Sequence, residues 1–238
     1  MSYLGYAKSI SEHILKITNH PKVLEIGIDT GQTAIPLIHN MSILCDAFLY
    51  VGIDIKIKKE FTEQILQMSN VCIDGFDDLS GRDVIVFHEN SLEWLEKNKN
   101  SKLQFDVIFI DGDHNYYTVS NELQLCQSLI KPSTLIICDD YRGRWSEKDL
   151  FYAENDAYKN NEIATKRVQT KKIGVKSAVD DFVGKHKEDW GIVESAKIGD
   201  PCFLYQKKYY KFDVVEIEHD VTKIGSLSRT HKLLFELL

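Results

Sequence analysis

Five short apolar runs punctuate the first 140 residues: Val23 to Ile26, Phe48 to Ile53, Val84 to Phe87, Phe105 to Ile110 and Thr134 to Cys138. They are rich in β-branched residues and do not alternate with polar ones. Such runs indicate strands buried on both faces, the signature of a parallel sheet. Parallel neighbours need crossover connections, and the segments between the runs carry helical periodicity. Val119, Leu123, Cys126 and Ile130, for example, recur at spacings of four, three and four. The pattern predicts an α/β fold with helices on both faces of the sheet. In such sheets ligands bind outside the carboxyl ends of the strands. Four of the five runs end there in an acidic residue or a Glu-containing turn, and buried carboxylates need partners.

The remainder is organised around this core. A helix is expected over Tyr3 to Thr18, within an N-terminal helical segment 1–20, and Pro21 stops it. Further helices are expected over Gln32 to Met41, Lys58 to Met68 and Val175 to His186, with a polar excursion from Ser69 to Arg82. The polar stretch 141–172 is too long for an ordinary connection and reads as a lid with its own helix or a mobile loop. Ile192-Val193 and Cys202 to Tyr205 read as closing strands. One domain over 1–208 is followed by an extension, 209–238, with a strand at Phe212 to Ile217 and an apolar terminus that suggests a homodimer contact.

Composition narrows the functional classes. At 238 residues the chain can bury a full core. A formal charge of −7 disfavours a nucleic-acid partner. No apolar run reaches the ~20 residues of a membrane span, and the first residues lack the basic start and apolar core of a signal peptide. Cys45, Cys72, Cys126, Cys138 and Cys202 form no C-x-x-C pair. An odd, scattered set fits a reducing compartment, and a cytoplasmic location is expected.

Two motifs set the ligand. In Val23-Leu24-Glu25-Ile26-Gly27-Ile28-Asp29-Thr30-Gly31 the glycines permit a tight turn and close approach of a ligand to backbone N–H groups. The spacing is E-x-G-x-x-x-G rather than G-x-G-x-x-G, and Glu25 would repel a pyrophosphate but suit a cationic amino-acid group. Asp54 closes the second run 29 positions later, where a carboxylate can accept ribose hydroxyls. Together these features resemble the class I S-adenosylmethionine-dependent methyltransferases, over roughly Lys22 to Lys207. The resemblance implies a doubly wound, Rossmann-like, seven-stranded and mostly parallel sheet with strand order 3-2-1-4-5-7-6 and the last strand antiparallel. It implies S-adenosylmethionine as cofactor. The turn residues Glu25, Gly27, Ile28, Asp29, Thr30 and Gly31 would hold its methionine part. Asp54 and Ile55 would lie at the ribose, and Asn90 and Ser91 near the adenine.

Two further motifs carry candidate chemistry: Asp111-Gly112-Asp113-His114-Asn115-Tyr116 and Asp139-Asp140-Tyr141. Carboxylates crowded at the ends of adjacent strands repel one another unless a cation intervenes, and oxygen ligands suit Mg²⁺, Mn²⁺ or Ca²⁺. The arrangement resembles metal-dependent O-methyltransferases and family 24 methyltransferases with D-G-D-H-x-Y. By that resemblance Asp111, Asp139 and Asp140 are metal ligands. The alternative is that Asp111 and Asp139 cap strands and order the cofactor amine. His114 reads as general base or as a partner that orients Asp113. Tyr116, Tyr141 and Trp145 are aromatic candidates for a substrate pocket, with packing as their ordinary role. Gly174 to Phe182 also resembles a family 24 helix.

The function this implies is methyl transfer to an oxygen of a small-molecule acceptor, assisted by a divalent cation. Two rivals share the scaffold: a binding module without methyl transfer, and a cephalosporin-hydroxylase-like enzyme.

Overall fold

The computed structural model describes residues 18–68, 70–74, 82–194 and 199–209. The expected N-terminal helix and the tail strand and apolar terminus lie outside these residues. Among these residues, eight strands form one sheet: β1 (Lys22–Ile26), β2 (Phe48–Asp54), β3 (Asn70–Ile73), β4 (Arg82–His88), β5 (Phe105–Ile110), β6 (Ile130–Cys138), β7 (Trp190–Glu194) and β8 (Cys202–Gln206). Their spatial order is β3-β4-β2-β1-β5-β6-β8-β7. All pairs are parallel except those made by β8, which runs against both β6 and β7.

The order and the single reversed strand match the expectation, but the strand count does not. The additional strand is β3, which falls in the stretch read as a polar excursion. Its four residues, Asn70-Val71-Cys72-Ile73, pair with β4 at the sheet edge and are only partly buried or exposed. An edge strand of that length leaves too short an apolar run to register in sequence.

Among the described residues, five helices cover the faces: α1 (Ala34–Leu44), α2 (Lys59–Ile65), α3 (Ser91–Asn98), α4 (Tyr116–Cys126) and α5 (Gly174–Lys185). Pro36 is the third residue of α1, inside the first turn, where its missing N–H breaks no helical bond. Ile130, read with the fourth helix, instead opens β6. Alternate strand residues face opposite layers. Val23, Tyr50, Val84, Val86, Val107 and Phe109 pack with Leu37, Ile38, Met41 and Phe61 of α1 and α2. Leu24, Val51, Ile85, Ile108 and Ile136 pack with Trp94, Val119, Leu123, Val179 and Phe182 of α3, α4 and α5. No helix among the described residues is long and apolar enough to cross a membrane, and none of the cysteines is in a disulfide.

A carboxyl group lies buried inside the second layer. Glu122 of α4 is fully buried. Its Oε1 accepts the Ser91 hydroxyl at 2.6 Å, and its Oε2 has no partner. The contact ties α4 to the first residue of α3, next to the carboxyl edge of β4. Burial pushes the Glu122 carboxyl up to about 8, against the pull of the Ser91 hydrogen bond. The folded chain therefore holds a proton that the unfolded chain releases from its ordinary 4.5 upward. Stability contributed by this group falls as pH rises from 4.5 to about 8. Glu122→Gln should flatten that decline and melt higher than the wild type at pH 8. Melting curves at pH 6 and pH 8 test this, and an unchanged slope would mean that Glu122 is ionised in the fold.

Candidate active site

The chain leaves β1 toward β2 on one side and later returns to place β5 on the other. The switch point of the sheet is thus the pair of carboxyl ends of β1 and β5. There Gly27 adopts φ +88°, and a Cβ at this position would lie 2.1 Å from the Asp111 carbonyl oxygen. The Asp111 N–H donates to the Ile26 carbonyl at 2.8 Å, and the Gly27 N–H to the Ile53 carbonyl at 2.9 Å. Glycine is required because the neighbouring backbone fills the space a side chain would use.

Asp54 holds the turn that follows. Its Oδ2 accepts from the Ile28 and Asp29 N–H groups at 2.7 and 2.9 Å, and its Oδ1 accepts from the Lys56 N–H at 2.8 Å. A carboxylate offers about four acceptor sites, so one at Oδ1 remains for a ligand. Asp29 has φ +48° and pairs with Lys58. The Thr30 hydroxyl has no partner and lines the cleft described below. Glu25 is buried and accepts the Tyr50 hydroxyl at 2.7 Å. Burial raises its carboxyl to about 8, the Tyr50 bond opposes this, and Asp54 adds to it.

After β5, the D-G-D-H-N-Y motif does two separate things. Asp113, Asn115 and Tyr116 fasten the segment that crosses the sheet edge. Asp113 accepts from the Tyr152 N–H at 2.8 Å, the Asn115 amide donates to the Leu150 carbonyl at 3.2 Å, and the Tyr116 N–H donates to Asp149 at 2.9 Å. Asp111 and His114 point instead toward β6. His114 Nε2 lies 3.8 Å from an Asp111 oxygen, and its Nδ1 lies 3.7 Å from an Asp140 oxygen. Burial lowers the His114 pKa, opposed by Asp140 and Asp139. Asp111 is pushed well above the carboxylate range, first by burial and then by Asp139, Glu25 and Asp140.

Among the described residues, the donor atoms that converge are those of Asp111, His114 and Asp139, all within 4.8 Å of one another. This differs from the set Asp111, Asp139 and Asp140. Asp140 takes φ +55° and accepts from the Arg144 and Trp145 N–H groups. It closes the turn after β6 and faces the His114 ring. Two carboxylates and an imidazole fit a divalent cation, and one placed there would relieve the charge crowding that raises Asp111.

Asn90 also differs from expectation. It caps α3, its Oδ1 accepting from the Leu92 and Glu93 N–H groups at 2.9 and 3.3 Å. Its amide nitrogen donates to the Ile163 carbonyl at 2.8 Å and to the Thr165 hydroxyl at 2.9 Å. Both ends of the amide are engaged within the chain, so it lines the cleft without offering the free acceptor that reading an adenine amine requires.

Two adjoining clefts open on this edge. The first is bounded by Asp54, Ile55, Asn90, Ser91 and Tyr158. The second is bounded by Glu25, Thr30, His114, Asp139, Asp140 and Trp145. Gly27, Asp29, Asp111 and Tyr152 border both. Gly31 is among neither set of lining residues and supports the turn against Phe61 and Ile35. Tyr116 and Tyr141 turn away, donating to Asp181 and Asp180 at 2.8 Å. Tyr152, Tyr158 and Thr165 were not legible as site residues, because they lie in a polar stretch with no spacing that marks them. Gly27→Ala should destabilise the fold by roughly 2–5 kcal/mol through strain and overlap. Denaturant unfolding measures this; an effect under about 1 kcal/mol would mean that β1 and β5 can part without cost.

The comparisons agree with this architecture. Residues 24–141, about half of the chain, match the methyltransferase domain of family 24. An uncharacterised protein, R132, of Acanthamoeba polyphaga mimivirus is 25% identical over a stretch covering 35% of this chain and 44% of that protein. The chain thus spans less than half of that curated relative. An O-methyltransferase from Bacillus cereus, solved with S-adenosylhomocysteine, superposes with TM-score 0.51 at 18% identity, covering 82% of this chain and 78% of its own. A protein from Klebsiella pneumoniae, provisionally described as an O-methyltransferase, gives TM-score 0.50 at 16% identity, with 83% and 78% covered. At these identities the two structures speak for the fold. With the glycine turn, the family match over residues 24–141 makes the chain a class I methyltransferase resembling family 24.

Proposed function

We propose that this protein methylates an oxygen of a small molecule, with a divalent cation held at Asp111 and Asp139. The observation that carries this reading is the convergence of Asp111, His114 and Asp139 beside the glycine turn. S-adenosylmethionine supplies an electrophilic methyl on its sulfonium, and the cation would lower the pKa of the acceptor hydroxyl.

The chain's own groups do the rest. Glu25 and Asp111 border the cleft where the cofactor's ammonium would lie, and a cation there favours their ionised forms. Thr30 borders the same cleft. The remaining Oδ1 site of Asp54 takes a ribose hydroxyl, and Ile55 and Ser91 line the same cleft. Burial lowers the His114 pKa and so favours the neutral ring, which can receive the acceptor's proton at Nε2, with Asp140 behind its other nitrogen. The acceptor oxygen gives up that proton and forms its bond to the methyl carbon as the carbon–sulfur bond breaks. Trp145 and Tyr152 border the second cleft and would flank the acceptor. On the same terms we infer a reducing compartment, such as the cytoplasm, and no nucleic-acid partner.

A second reading has specific support. His114 belongs to the converging donor set, so it could complete the cation site instead of serving as base. Mn²⁺ titration separates the two. Asp139→Ala should abolish Mn²⁺ binding while S-adenosylhomocysteine still binds. His114→Gln should keep Mn²⁺ and, with a phenol or diol panel, lose about 10²–10⁴-fold in S-adenosylhomocysteine release. Loss of Mn²⁺ in His114→Gln moves His114 into the ligand set. Full Mn²⁺ affinity in Asp139→Ala sinks the cation site.

A further inference from the structure

The stretch 141–172 was expected to close over the acceptor. Its middle part lies elsewhere. From Leu150 it crosses the carboxyl edge away from β6 and is fastened to three different strand-end loops. The Leu150 N–H donates to the His114 carbonyl at 2.9 Å, and the Tyr152 N–H to Asp113 at 2.8 Å, both after β5. The Asn161 amide donates to the Ile55 carbonyl at 2.6 Å, after β2. The Asn90 amide, after β4, holds Ile163 and Thr165. The segment is also closed on itself. Arg167 grips Glu154 through two bonds of 2.5 and 2.7 Å and lies 4.8 Å from the Phe151 ring centroid. Phe151 and Ala164 are buried beneath it.

Its side chains face the first cleft. Tyr152, Tyr158 and Thr165 line that cleft opposite Asp54 and Ile53, whereas of these three only Tyr152 reaches the second. The Tyr152 and Tyr158 rings stand 5.0 Å apart at 58°. Lys56, from the loop after β2, sits 5.3 Å from the Tyr158 ring centroid.

We propose that residues 151–165 form a strap that is the outer wall of the adenosine half of the cofactor site, with Tyr158 as the surface against which the purine lies. This rests on the S-adenosylmethionine reading of the site. A flat π-surface is recognised by an aromatic wall without any hydrogen bond to its edge, and that suits a cleft in which the Asn90 amide is already engaged. It follows that S-adenosylhomocysteine leaves only when the strap lifts, and that Asn161 acts as a latch without touching the ligand.

Calorimetric titration of S-adenosylhomocysteine into the full chain tests this, with hydrogen exchange read over 151–165. Tyr158→Phe should bind within about threefold of the wild type. Tyr158→Ala should bind about ten- to hundredfold more weakly, with the same loss for adenosine alone. Asn161→Ala should lose exchange protection in the strap and release the ligand faster, and the ligand should raise protection there in the wild type. If the wild type binds and Tyr158→Ala binds equally, the strap is not a cofactor wall. If the wild type takes no S-adenosylhomocysteine, the cofactor reading fails first and the strap falls with it.

Discussion

The close approach of β1 and β5 at Gly27 and Asp111 organises the rest of the molecule. The Asp111 carbonyl occupies the volume where a side chain at Gly27 would stand. Two strand ends from opposite sides of the switch point can therefore meet at backbone distance. One brings Glu25 and the turn clamped by Asp54; the other brings Asp111 and His114. The next parallel strand adds Asp139. Without this contact the cofactor turn and the carboxylate cluster would be separate features of one edge, instead of neighbours bordering common clefts.

Electrostatics then gives the edge its character. Glu25, Asp111, Asp139 and Asp140 converge where burial already disfavours charge, and three of them, Glu25, Asp111 and Asp140, are pushed upward as a result. Their partners inside the chain are few: one tyrosine hydroxyl for Glu25, two backbone amides for Asp140. Such an arrangement is stabilised by cationic ligands. An ammonium at one end and a metal ion at the other would each meet a carboxylate prepared for it. The His114 ring stands between Asp111 and Asp140 at 3.8 and 3.7 Å, beyond hydrogen-bond length, and so is free to engage a ligand.

The D-G-D-H-N-Y motif shows how one short sequence serves two ends. The residues between the end of β5 and the start of α4 turn in different directions. Asp111 and His114 face the cleft, while Asp113 and Asn115 hold backbone groups of the segment after β6 and the Tyr116 N–H holds its Asp149 carboxylate. The motif builds the floor of the site and anchors its roof.

The strand alternation, the glycine turn, the acidic strand ends and the single reversed strand were legible in sequence, because each depends on local burial, backbone freedom or family pattern. Glu25, Asp54, Asp111, His114 and Asp139 were singled out for the same reason, and the fold brings them to one edge. Other assignments needed the tertiary structure. Asn90 carries a side chain a ligand would want, yet spends its amide on a helix cap and the strap, while the Asp140 carboxylate closes its turn and faces the His114 ring. Tyr152 and Tyr158 carry no motif and reach the cleft only because hydrogen bonds to three loops, 39 and 106 positions away for Tyr152 and Asn161, set the path of the chain. Sequence determined which residues could do chemistry at the carboxyl edge. Competition among donors and acceptors in the folded chain decided which of them are left to do it.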